Sequence, residues 1–89
     1  MNERNAIKIE MFYTLTCPNC KILKRMLEEV LPTYGDKFNL KTSLANSPIG
    51  TFRTLKLNIH SVPTLLIDNK IIFKSVPTKE DLLNKLSIY

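Results

Sequence analysis

Tyr13-Thr14-Leu15-Thr16-Cys17-Pro18-Asn19-Cys20-Lys21 holds both cysteines of the chain, with two residues between them. An extended apolar run precedes it and an amphipathic helical run follows it directly. Two thiols at this spacing on a helix start can close a disulfide across one turn and reopen it. The first thiol sits at the cap, where the unpaired N–H groups of the helix point outward and favour a thiolate. The stretch reads as a redox site.

Upstream, Ile7, Ile9 and Met11 alternate with Lys8 and Glu10 before both faces turn apolar at Phe12 and Tyr13. This pattern predicts a strand over Ala6 to Tyr13 that delivers the cysteine loop at its carboxyl end. In open α/β sheets that end is where chemistry gathers. Downstream, Ile22, Leu23, Met26, Leu27, Val30 and Leu31 form one helical stripe from Pro18 to about Leu31. Pro18 suits the first turn, because its missing N–H has no helical partner to lose. Cys20 falls on the side of Leu23 and Leu27 and is predicted to point inward, with Cys17 outside. That asymmetry makes Cys17 the nucleophile and Cys20 the resolving thiol. Lys21 adds positive charge near Cys17, and it reads as part of a solvated helix face rather than as a dedicated catalytic group.

Pro32, Tyr34 and Gly35 end the helix, and Phe38, Leu40, Thr42 and Leu44 then alternate with polar residues as a half-buried edge strand. The spacing of strand, helix and strand is that of a right-handed βαβ unit. Ser47-Pro48 caps a short helix reaching about Leu57, with Ile49, Phe52 and Leu55 as its expected inner face. Val62-Pro63-Thr64-Leu65-Leu66-Ile67 is an apolar strand with a proline at its start, where only the first ladder bond is lost. Asp68-Asn69 turns the chain into an antiparallel strand over Lys70–Lys74. Thr78 caps a final helix with Leu82, Leu83 and Leu86 inside. Phe12, Tyr13, Phe38 and Phe52 are expected in the core or at its edge. The expected fold class is α/β, in the order β-α-β-α-β-β-α, with a four-stranded mixed sheet and helices on both faces.

Eighty-nine residues leave room for a single domain spanning 1–89. Met1-Asn2-Glu3-Arg4-Asn5 is polar and has no apolar h-region, so no signal peptide is expected and a cytoplasmic location is the default. No apolar run reaches the roughly 18–20 residues a membrane span needs. In a reducing compartment the cysteine pair is expected to rest as a dithiol. The formal net charge is +5, but the cations are spread along the chain and not interleaved with aromatics, so no nucleic-acid partner is expected.

The cysteine loop, followed after about forty residues by Ser61-Val62-Pro63-Thr64 and a hairpin, resembles the thioredoxin/glutaredoxin superfamily from Ile7 to the last helix. The resemblance implies a thioredoxin-like fold and a cis Val62–Pro63 bond beside the cysteines. It also implies a substrate-binding rim of Thr16, Pro18, Val62, Pro63 and Thr64, with the backbone of Val62 pairing with an extended substrate. The chain's size and its Cys-Pro pair look like glutaredoxin. Glutaredoxins, however, carry a Gly-Gly turn before the last helix where glutathione lies, and here the residues are Ser75-Val76-Pro77. Thioredoxins usually have Trp before the first cysteine and bury an acid six residues before it. Here those positions are Thr16 and Met11, and Glu10 belongs to the other face of its strand.

The implied activity is dithiol–disulfide exchange acting on protein disulfides through Cys17 and Cys20, with no cofactor. The implied protein is a monomer, re-reduced by an unidentified reductase or small-thiol donor. The Cys17 thiol is expected to ionise below the value of about 8.5 of a free thiol. Two alternatives stand beside this reading. One is a glutathione-dependent glutaredoxin. The other is a thiolate metal- or cluster-binding module, for which the two cysteines supply half a tetrahedral set. His60, the sole histidine, is a candidate ligand or proton carrier three residues before Pro63.

Overall fold

The computed structural model describes residues 6–89, so the reading of Met1–Asn5 lies outside the described residues. The elements are β1 (Ile7–Tyr13), α1 (Pro18–Val30), β2 (Phe38–Leu44), α2 (Pro48–Leu57), β3 (Thr64–Ile67), β4 (Lys70–Phe73) and α3 (Lys79–Leu86). A short 3-10 turn over Leu31–Tyr34 continues α1, and Gly35 ends it at φ 63, a conformation that glycine tolerates. The order is the one expected from the sequence.

The sheet runs β2-β1-β3-β4. β1 pairs parallel with β2 and antiparallel with β3, and β3 pairs antiparallel with β4. Asp68 and Asn69 close the β3–β4 hairpin with φ of 52 and 66, the geometry of a type I′ turn. β1 therefore lies inside the sheet, and four successive residues, Ile9 to Phe12, are buried. Period-two alternation divides them between two faces.

Ile9 and Met11 face one core with their cross-strand partners Ile67 and Leu65. Leu23, Leu27 and Val30 of α1 and Leu82 and Leu86 of α3 complete it. Glu10 and Phe12 face the other way, where Phe12, Leu66 and Ile59 make a smaller cluster bordered by Leu57. Helices thus cover both faces, two on one side and α2 on the other.

The inner face expected for α2 is overturned. Ile49, Phe52 and Leu55 are 74%, 66% and 76% exposed, so Phe52 is no core residue either. The positions facing the sheet are taken by Gly50, Arg53 and Leu57. Two local demands explain this rotation. A Cβ on Gly50 would clash with the Leu44 carbonyl, so the helix approaches the chain there through glycine. The buried Glu10 beneath the helix needs a cation, and Arg53 provides it. Two smaller departures follow the same logic of edges. Ile22 is half exposed at the rim of the α1 stripe, and Thr42 is exposed near the end of edge strand β2.

Candidate active site

Cys17 is the N-cap of α1, with extended backbone at φ −99 and ψ 106, and Pro18 takes the first helical position. The Cys17 sulfur accepts the backbone N–H of Cys20 at 3.0 Å, as a capping oxygen would. A thiolate at this position gains more from that donor than a thiol does, since a charged acceptor makes the stronger bond. The Lys21 N–H closes the first helical turn onto the Cys17 carbonyl at 3.4 Å.

Cys17 and Cys20 form a disulfide, with Cα atoms 5.2 Å apart. That separation sits within the usual disulfide range of roughly 4.4–6.8 Å. The structure shows the pair in its oxidised form, one half of the expected dithiol–disulfide cycle. The predicted asymmetry is present, with Cys20 buried at 2% exposure and Cys17 partly exposed.

Thr64 pairs with Phe12 across β1 and β3. Pro63 and Val62 therefore precede β3 at the end of the sheet where the cysteine loop leaves β1. The Val62–Pro63 peptide is cis. Pro63 is buried and Val62 half-buried, while Thr16 and Pro18 are exposed. The Thr64 side chain is turned inward, 1% exposed, and its hydroxyl donates to the Ser61 carbonyl at 2.6 Å. Its side chain is thus engaged within the loop preceding β3. His60 is exposed and lines a separate small cavity with Lys74. Among the described residues, no group of three or more His, Cys, Asp or Glu could hold a metal ion.

A cavity of about 250 Å³ lies against Cys20. Its polar lining is Tyr13, Thr14, Thr42, Lys21 and Lys24, and Met11 and Leu15 provide apolar wall. Lys24 belongs to the polar face of α1, and nothing in the helical period singles it out. The only available signal was register: Thr42 pairs with Met11, the strand residue that faces Cys20's side of the sheet.

Glu10 is the nearest carboxylate along β1, and it does not serve this cavity. It is 1% exposed on the opposite face, where it accepts hydrogen bonds from the Arg53 guanidinium through both carboxylate oxygens and from the Ser43 hydroxyl at 2.5 Å. Arg53 also lies over the Phe12 ring, 5.2 Å from its centroid. Burial pushes the Glu10 carboxyl up, but the bonds from Arg53 and Ser43, with the charges of Arg53 and Lys41, outweigh it and leave it below its ordinary value. The same pairing raises the Arg53 guanidinium above its ordinary value, against the smaller pull of burial.

Comparison with known proteins places this geometry. A family model described as thioredoxin domain matches residues 6–87. The chain is 31% identical over 82 residues to a thioredoxin of Methanocaldococcus jannaschii, covering 92% of this chain and 94% of that one. It is 25% identical over 82 residues, with the same coverage, to a probable thioredoxin of Methanothermobacter marburgensis. Among solved structures, thioredoxin-2 of the malaria parasite superposes with a TM-score of 0.79 at 17% identity, over 96% of this chain and 84% of that one. All three lie on the thioredoxin side, so the glutaredoxin alternative is not favoured.

Proposed function

Given that the chain belongs to the thioredoxin family and is a thiol–disulfide oxidoreductase, we propose that Cys17 is its attacking thiol, Cys20 its resolving thiol, and disulfides of proteins its substrates. The observation that carries this reading is the contrast between the two sulfurs. Cys17 is partly exposed and capped by the N–H of Cys20, and Cys20 is buried against the core.

In the reduced protein, the Cys17 thiolate attacks one sulfur of a substrate disulfide. A Cys17–substrate bond forms, and the other substrate sulfur leaves as a thiolate. Cys20 then attacks the Cys17 sulfur, which closes the Cys17–Cys20 bond and expels the second substrate thiolate. The substrate is reduced by two electrons and the protein is oxidised by two. The Val62–Pro63 segment and the exposed Thr16 and Pro18 flank the loop where an extended substrate backbone lies. Thr64 acts in this rim through its backbone, since its side chain is engaged elsewhere.

The protein works as a monomer, and a reductase or small thiol restores the dithiol. We place the activity in the cytoplasm, where a reducing pool re-reduces such a pair. Cell fractionation checks that location, and finding the protein in an oxidising compartment would count against it.

Trapping tests the assignment. Cys20→Ser is expected to accumulate a mixed disulfide on Cys17 with a disulfide-bonded protein substrate, and Cys17→Ser to abolish turnover. A Cys20→Ser protein that turns over normally and never holds its substrate would reverse the assigned order.

A further inference from the structure

Cys20 must lose a proton before it attacks, and it must carry negative charge whenever a donor thiol displaces it from the disulfide. Both events are costly for a buried sulfur, because removal from water disfavours the thiolate. At 2% exposure, Cys20 has little bulk water of its own. No carboxylate lines the cavity beside it, and Glu10 is committed to Arg53 on the far face of the sheet.

The cavity supplies what the carboxylate does not. A water occupies about 30 Å³ of liquid and needs two to four polar partners. A space of about 250 Å³ lined by the hydroxyl-bearing residues Tyr13, Thr14 and Thr42 therefore admits several waters. These residues come from β1, the cysteine loop and β2, and α1 adds two lysines, Lys21 and Lys24. They are the titratable and charged groups that face this space from the surrounding elements. Two positive charges and a wet wall favour a thiolate here and oppose the effect of burial.

We propose that this cavity is the proton route of Cys20, and that Lys24, together with Lys21, stabilises the Cys20 thiolate as it forms. The proposal rests on Cys20 being the resolving thiol. In the resolving step the Cys20 proton passes to cavity water. The thiolate then attacks the Cys17 sulfur, the Cys17–Cys20 bond forms, and the Cys17–substrate bond breaks. The bonding pair departs with the substrate sulfur, which takes a proton from solvent. In re-reduction the path runs backward, and Cys20 leaves as a thiolate into the same space. Lys24 is a positioning residue for charge; it forms no bond to substrate.

The reduced full-length protein, mixed rapidly with an aromatic disulfide that releases a coloured thiolate, separates the two steps. The first colour release reports attack by Cys17, and the second reports displacement by Cys20. Lys24→Met keeps the aliphatic stem and removes the charge. It is expected to slow the second release about threefold at pH below its midpoint, as a half-unit displacement of the pH profile to higher pH requires. Lys24→Glu should displace the profile further, Lys24→Arg should restore it, and high salt should shrink the difference between variants. If the second-release profile is the same in wild type, Lys24→Met and Lys24→Glu while both releases occur, the cavity proposal fails and the dithiol mechanism stands. If wild-type protein gives no second release at all, Cys20 is not the resolving thiol and the underlying reading fails.

Discussion

On one face of the sheet, α1 and α3 set Leu23, Leu27, Leu82 and Leu86 against Ile9, Met11, Leu65 and Ile67, and no charged side chain is buried among them. On the other face, α2 covers Phe12 and Leu66 with a glycine, an arginine and a half-buried leucine, over the buried carboxylate of Glu10. The first face is held by apolar area, about 1.5–3 kcal/mol for each fully buried side chain. The second has a smaller apolar cluster of Phe12, Ile59 and Leu66, to which it adds one directional ion pair and one close backbone approach. The redox helix belongs to the first. Area is non-directional and tolerates small shifts, but many such contacts together fix Cys20 against the core. An ion pair fixes one rotation of one helix, and it does so here even though Ile49, Phe52 and Leu55 are left in water.

The comparison breaks most visibly if the apolar face turns out to be the weaker one. Leu27→Ala is expected to cost about 2–5 kcal/mol, read from the urea midpoint at unchanged slope. Arg53→Met is expected to cost about 3 kcal/mol, the low end for breaking a buried pair, because Arg53 keeps 25% of its side-chain surface in water. The double variant Glu10→Met with Arg53→Met should recover most of that loss, since no buried charge is then left alone. A double variant as unstable as Arg53→Met would show that α2 is held by something other than this pair.

Acid sharpens the same contrast. The folded Glu10 carboxyl lies below its ordinary value of 4.5. The stability it contributes is therefore fully present above pH 4.5 and is lost as pH falls through the lower folded value. The urea midpoint of wild type should drop over that window, and Glu10→Gln should remove this part of the drop. Gly50→Ala comes next, at about 1–3 kcal/mol, because the new methyl meets the Leu44 carbonyl and the backbone must yield.

This division also explains what the sequence could convey. α1 and the strands were legible, because a stripe of leucines or an alternation of isoleucine and lysine states which side is buried. The hairpin was legible in Asp68-Asn69, and the redox pair in its spacing and cap. The orientation of α2 was not. Its apolar residues at Ile49, Phe52 and Leu55 form a plausible inner stripe, and the residues that do face the sheet include an arginine. The close approach at Gly50 and the burial of Glu10 decide between them. That burial depends on a partner forty-three positions away, which no local period encodes. The cavity at Cys20 was hidden for a similar reason, since Thr42 reaches it only through the parallel register of β2.

The smallest expected effect tests the most unusual feature of the α2 face. Replacing Phe52 by Ser removes a large aromatic ring from a helix, a change that in a core would cost several kcal/mol. Because the ring is 66% exposed and lies outside both buried clusters, the expected change is within about 0.5 kcal/mol. A loss of several kcal/mol would mean that α2 turns this ring inward in solution, and that Arg53 does not set its rotation. A null result at Phe52 beside a large loss at Arg53 establishes the reverse: on this face a single guanidinium outweighs three apolar side chains in choosing which side of the helix meets the sheet.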